Sequence, residues 1–338
     1  MKMRVTVIGA GVAGLACAVE LAERGAAVEV LERAATLKEA GCSWFAGGML
    51  APWCELESSV PLIARLGEEG TPWWRRRFPG TVVNGTLVIA HGRDAGELAQ
   101  FARRTTRFEK LDGAGVGAHE PDLAGRFPGA LYFAGEGHLD PRAALAALLD
   151  EAQRLGVAVR FGVDGHAMPG GGDEVIDCTG LAARRTLPDL RGVRGEMLLL
   201  HAPEVTLSRP VRILHPRMPV YIVPRGGGVY MIGATMIESD AATRISARSL
   251  LELLSACYAL HPAFGEAQIL EIGSGVRAAF ADNLPRLRRV AGVLHVNGLF
   301  RHGFLLAPAL ASRAARVVLE GAHFAEVMDE DPRQRRLA

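Results

Sequence analysis

Val5 to Ile8 is continuously apolar, and the chain then passes through small residues, Gly9-Ala-Gly-Val-Ala-Gly14, into an alanine- and leucine-rich run with helical spacing. A second apolar run, VEVLER, follows at residues 28–33. The pattern predicts a strand, a tight turn, a helix and a second strand. Residues 40–52 (AGCSWFAGGMLAP) read as a loop of small side chains entering a short helix, and residues 65–77 as helical until Pro72 and the tryptophans. From Thr81 the texture changes to short β-like runs, with Asn84-Gly85 expected to form a hairpin turn. Residues 141–155 predict a helix stopped at Gly156, followed by the strand VAVRF, a glycine-rich link at 170–172 and the apolar strand EVIDCTG at 174–180. Residues 197–233 read as antiparallel strands with glycine turns. After GSGVRAAFADNLPRL (273–287), the strand GVLHVNG leads through Arg301-His302-Gly303 into a last helix beginning near Gly303.

Strands alternating with helices at both ends, around a β-rich middle, predict an α/β protein. Its discontinuous Rossmann-like domain (1–80, 138–192 and 276–338) would be interrupted by a second, antiparallel-sheet domain (81–137 and 193–275). The chain's 338 residues agree with about two domains, and 49% hydrophobic content is ample for sizeable cores.

The opening unit carries specific chemistry. Gly9 permits the tight turn, Gly11 lets backbone approach a phosphate, and Gly14 lets helix and strand pack closely; with Val12 and Ala13 they form the turn that grips a dinucleotide pyrophosphate. The phosphates would sit at a helix N-terminus, where unpaired N–H groups and the helix dipole favour negative charge. Glu32, followed by Arg33, stands 18 residues after Gly14, near the offset where a carboxylate accepts hydrogen bonds from a ribose diol and disfavours a 2′-phosphate. FAD or NAD is expected rather than NADP. Ser43, Ala46, Gly47, Gly48 and Met49 would let the loop lie close to a bulky ligand, and Thr179 and Gly180 end a strand where doubly wound folds bind theirs. The N-terminal N–H groups at Gly303, Phe304 and Leu305, with Arg301 and His302, could face a second acceptor such as a flavin pyrimidine edge.

A net charge of +1 calls for neither nucleic acid nor an acidic membrane surface, and the basic cluster at 75–77 reads as a solvated face beside partly buried indoles. Five scattered cysteines show neither a disulfide framework nor metal spacing; Cys17 and Cys178 read as small buried side chains. His201, His215 and His261 read as structural or surface groups, and no metal site is expected. Without a membrane-length apolar stretch, and with Met-Lys-Met-Arg leading into a buried strand, a cytoplasmic location is expected.

The motifs GAGVAG with Glu32, SWFAGGML, DCTG, VYIVPR with Tyr221, IGATM with Met236, GVR with Arg277 and LFRHGFLLAP with Arg301 resemble the FAD-dependent amino-acid oxidases that include D-amino acid oxidase, sarcosine oxidase and glycine oxidase. YIVPR, GATM, GVR and FRHGFLLAP look most like the glycine oxidases of thiamine biosynthesis. The resemblance implies oxidation of glycine, or another small amino acid, to its imine by hydride transfer to FAD, with O2 giving H2O2. It assigns the substrate carboxylate to Arg277 and Tyr221, and places Arg301 and Met236 at the reacting centre. Residues 277–285 contain no cysteine, so FAD is expected to be noncovalent. Two features depart from the family: the segment 162–174 is short where a longer hairpin is usual, and Arg277 is followed by Ala-Ala-Phe rather than a Pro/Thr pattern. D-amino acid oxidase or dehydrogenase and sarcosine oxidase are the neighbouring alternatives, and a non-redox dinucleotide-binding protein is the alternative of another class. A homo-oligomer is compatible with the sequence.

Overall fold

The computed structural model describes residues 2–167, 172–214 and 219–329. His215 and the link glycines Gly170 and Gly171 lie outside them.

The alternation at the two chain ends builds one six-stranded sheet, in the order Arg286–Val290, Val293–Asn297, Glu174–Asp177, Arg4–Ile8, Ala27–Glu32 and Ala158–Phe161. Neighbours run parallel except the edge pair Arg286–Val290 and Val293–Asn297. Three central strands therefore end side by side, at Gly9, Cys178 and Gly298. The helices Val12–Glu23 and Gly303–Glu320 pack together, sharing one core in which Val7, Leu15, Val30, Ile176, Leu294 and Leu310 are buried. Full burial of such side chains contributes about 1.5–3 kcal/mol each.

The second of these helices contains Pro308, which cannot donate to the carbonyl of Phe304 four residues earlier. Trp74 supplies the missing donor, its Nε1–H bonding the Phe304 carbonyl at 2.8 Å. That bond explains a departure from the sequence reading. Residues 65–77 form two helices, Pro61–Glu68 and Gly70–Arg77, and the second continues through Pro72 and both tryptophans, which are fully buried. Proline in a first turn interrupts no helical hydrogen bond. Of the basic cluster, Arg75 and Arg76 are exposed, whereas Arg77 stacks on Trp73 at 4.1 Å and pairs with Glu20 and Glu23.

Nine strands form the second sheet. Arg191–His201, Val229–Gly233, Val220–Gly226, Val211–Leu214, Thr86–Ala90, Gly129–Phe133 and Glu109–Asp112 follow one another, with the long Gln268–Ala279 on the free side of Arg191–His201 and Ile237–Glu238 pairing with the start of Arg191–His201 on the edge shared with Val229–Gly233. Pairing is antiparallel except between Val211–Leu214 and Thr86–Ala90, which makes the sheet mixed. Asn84-Gly85 makes no hairpin. Gly85 N–H instead bonds the Glu136 carbonyl, and Thr86–Ala90 pairs with distant segments, whose apolar faces bury Leu87 and Ile89 completely. The helix Ala247–Leu260 covers this sheet through Leu253 and Cys257. The pair Arg191–His201 and Gln268–Ala279 joins the two layers, setting Val193 opposite Arg277.

Candidate active site

Local backbone geometry builds the first half of the site. Gly9 has φ +101°, and a Cβ on Gly14 would lie 1.8 Å from the Gly9 carbonyl oxygen, so helix and turn touch backbone to backbone. Glu32 is buried, its Oε2 accepting from Ala10 N–H at 2.7 Å and its Oε1 from Ala34 N–H at 2.8 Å, which fixes the carboxylate beside the glycine turn. Ser43 Oγ accepts from Val12 N–H at 3.2 Å and so ties the 40–52 loop to the first helix. Thr179 lies at the neighbouring strand end, where its N–H and hydroxyl both donate to Asp177. Arg33 is exposed. Gly303, at the N-terminus of the last helix, packs against Val12 of the first.

A cavity partly open to solvent lies between residues 46–49, residues 302–305 and the second sheet. Tyr221, Met231, Ala234, Met236, Arg277, Arg301 and Glu55 complete its wall. The structure thus gathers all four sequence-predicted catalytic residues with Ala46 to Met49 and with His302 to Leu305. Gly9, Gly11, Gly14, Glu32, Ser43, Thr179 and Gly180 lie outside the cavity wall, along the carboxyl ends of the first sheet. A dinucleotide is long enough to need both regions.

Glu55 was not anticipated. It sits in the five-residue helix Pro52–Leu56 and is 6% exposed, and nothing in CELESS marks it as different from a surface glutamate. Its Oε1 accepts from the Tyr221 hydroxyl at 2.9 Å; its Oε2 pairs with Arg301 Nη2 at 2.5 Å and lies 3.0 Å from His302 Nε2. Burial opposes its ionisation, but Arg301, His302 and Arg212 outweigh that and hold the carboxyl well below its ordinary range. Arg301 also donates to Ser58 Oγ at 2.6 Å, and its Nη1 approaches the half-exposed Met236 Sδ at 3.7 Å. Burial lowers the pKa of His302, whose Nδ1 is buried without a hydrogen-bond partner among the described residues.

Arg277 differs from Arg301. Its Nη1 donates to the Thr235 carbonyl at 3.1 Å, and no carboxylate pairs with it among the described residues. The guanidinium lies flat on Gly195, where a Cβ would come within 2.2 Å of Nη2. Burial depresses its pKa, as for a cation held without its anion.

Arg225, in the VYIVPR run, is a second residue that sequence reasoning left without a role. Its Nη2 donates to the Gly47 carbonyl at 2.7 Å and its Nη1 to that of Leu139 at 3.2 Å, fixing the loop that forms one wall. Burial pulls its pKa down to about 10.

Residues 4–317 match the family model described as DAO, FAD dependent oxidoreductase. The chain is 56% identical over 318 residues to a Rhizobium etli protein named as a thiamine biosynthesis oxidoreductase, ThiO, covering 94% of this chain and 97% of that one. It is 28% identical to a glycine oxidase of Geobacillus kaustophilus, across 93% of this chain and 92% of the other. The crystal structure of a glycine oxidase from G. kaustophilus superimposes with a TM-score of 0.81 at 25% identity, covering 96% and 97% of the two chains.

Proposed function

The chain belongs to the DAO family of FAD-dependent oxidoreductases, and from that premise we propose that it oxidises glycine to its imine, which serves formation of the thiamine thiazole. One observation carries the choice of substrate: Arg277, half-buried and without a carboxylate partner among the described residues, faces a cavity walled by the two segments expected to seat a flavin. A guanidinium so placed matches a carboxylate in bidentate geometry.

The residues present fit FAD. The Gly9–Gly14 contact leaves bare backbone at the first helix N-terminus, Glu32 is held beside it, and the unpartnered His302 Nδ1 marks the second helix start. Bound FAD supplies the two-electron acceptor, with O2 as the final oxidant, and no cysteine at 277–285 is available to tether it. We assign residues 1–80, 138–192 and 276–338 to cofactor binding and 81–137 and 193–275 to the substrate side.

Catalysis by this chain is chiefly placement, because hydride loss from Cα needs alignment more than a protein acid or base. Arg277 holds the substrate carboxylate. Tyr221 has a single hydroxyl proton, which Glu55 already accepts, so a bound carboxylate competes with Glu55 for it. The amine must lose its proton before hydride transfer, so turnover rises toward alkaline pH. Among the described residues no helix is long and apolar enough to cross a membrane.

An anaerobic visible spectrum of the purified holoenzyme tests this reading. Glycine should bleach the flavin faster than D-alanine or sarcosine. Faster bleaching by either of these reassigns the substrate within the family, and a redox-silent flavin restores the non-redox alternative.

A further inference from the structure

The charges on the cavity wall do not balance, and the imbalance is specific. The charged groups lining it among the described residues are Glu55, Arg277 and Arg301, with His302 kept toward its neutral form by burial. Arg301 is spent on Glu55 at 2.5 Å. Arg212, behind Tyr221, is engaged by the Cys54 carbonyl at 3.1 Å and by Glu57 at 3.4 Å. One cation, Arg277, is left over.

We propose that Glu55 is a specificity-determining residue: by neutralising Arg301 it leaves the cavity one unpaired positive charge, so that the site accepts amino acids with one carboxylate and rejects those with two. The inference rests on the amino-acid oxidase reading above and adds a charge rule to it.

A purely structural role for the Glu55 side chain accounts poorly for its position. The helix Pro52–Leu56 is already anchored through its backbone, because Glu136 Oε1 accepts from Trp53 N–H at 2.9 Å and Cys54 N–H at 2.7 Å. A buried carboxylate carries a desolvation penalty, and here it is offset by direct partners on the cavity wall, Tyr221, Arg301 and His302, with the charge of Arg212 behind Tyr221 adding to them. A second substrate carboxylate entering beside Arg277 would meet the Glu55 anion with no free cation to receive it. Rejection by an uncompensated like charge is a common source of selectivity.

Glu55→Gln keeps the shape and an acceptor for Tyr221 while releasing Arg301. The holoenzyme is titrated with acetate and with malonate, which differ by one carboxylate, and binding is followed by perturbation of the flavin spectrum. The wild type should prefer acetate. In Glu55→Gln the malonate-to-acetate affinity ratio should rise about tenfold or more, with a parallel rise in kcat/KM for iminodiacetate relative to glycine. Glu55→Asp, which restores the anion, should return the ratio toward wild type, and Glu55→Gln with Arg301→Met should abolish the gain.

Should Glu55→Gln fail to fold, Arg301→Met alone is decisive, because it leaves Glu55 uncompensated and should weaken malonate more than acetate by a similar factor. A folded Glu55→Gln with the wild-type ratio, or a gain that survives loss of Arg301, overturns the charge rule. Wild-type bleaching by glycine judges the underlying reading separately, so either can fail while the other stands.

Discussion

The glycine turn and the amino-acid cavity are built by different physics. The turn is backbone against backbone within a few residues: Gly14 meets Gly9, and Glu32 reaches Ala10. The cavity is made of side chains brought together over long separations, Glu55 with Tyr221, Arg301 and His302, and Arg277 with Thr235 and Gly195. On the function proposed above, the first region would hold its ligand by shape and the second by charge, with an unneutralised, half-buried cation kept for the purpose. Stability and recognition therefore coincide in the turn and oppose one another in the cavity.

The most severe test of that contrast is Arg277→Met. Removing the guanidinium should weaken carboxylate binding by about 2–5 kcal/mol, measured as the glycine affinity of the oxidised holoenzyme. The same variant should melt no lower than wild type, since it takes a desolvated cation out of the protein. A large drop in melting temperature would show Arg277 to be a structural residue and erase the contrast.

Gly14→Ala should do the reverse. The added carbon collides with a carbonyl rather than with a flexible side chain, so the cost should reach the upper end of about 1–3 kcal/mol. FAD retention and melting temperature should fall together. A variant that keeps both would mean that helix and turn can separate without consequence.

A smaller effect is expected from Trp74→Phe, which preserves most of the buried ring but leaves the Phe304 carbonyl without its donor. The loss should be about 1–2 kcal/mol in denaturant unfolding, with the acetate-to-malonate ratio unchanged because Trp74 is not on the cavity wall.

These cases also explain what could be read before the structure was known. The α/β class, the glycine turn and the helix starting at Gly303 were legible because each is written within a short stretch of chain. Arg277 and Tyr221 came from family motifs. Glu55 and Arg225 were invisible, because a buried ion pair between residues far apart leaves no periodicity, and Arg225 acts on carbonyls that have no sequence identity of their own. Asn84-Gly85 misled for a related reason: a local turn signal was overruled by pairing of Thr86–Ala90 with distant strands.

The subtlest test concerns Glu136, which anchors the helix that presents Glu55. It is completely buried, accepts the N–H groups of Trp53 and Cys54, and burial pushes its pKa up to about 8. In the unfolded chain the same group titrates as an ordinary carboxylic acid. Between that range and pH 8 the folded state therefore holds a proton that the unfolded state has lost. Stability tied to Glu136 is full in mild acid, declines as pH rises through this window, and is flat above it. Glu136→Gln removes the proton while keeping the carbonyl acceptor for both N–H groups. Its unfolding free energy should differ little from wild type near pH 5, and should fall less steeply from there to pH 8, as measured by urea titration at each pH. Acetate affinity should follow the same difference if the anchor sets the position of Glu55. Parallel slopes for the two proteins would place the titration elsewhere, and would separate the cavity's charge from the helix that carries it.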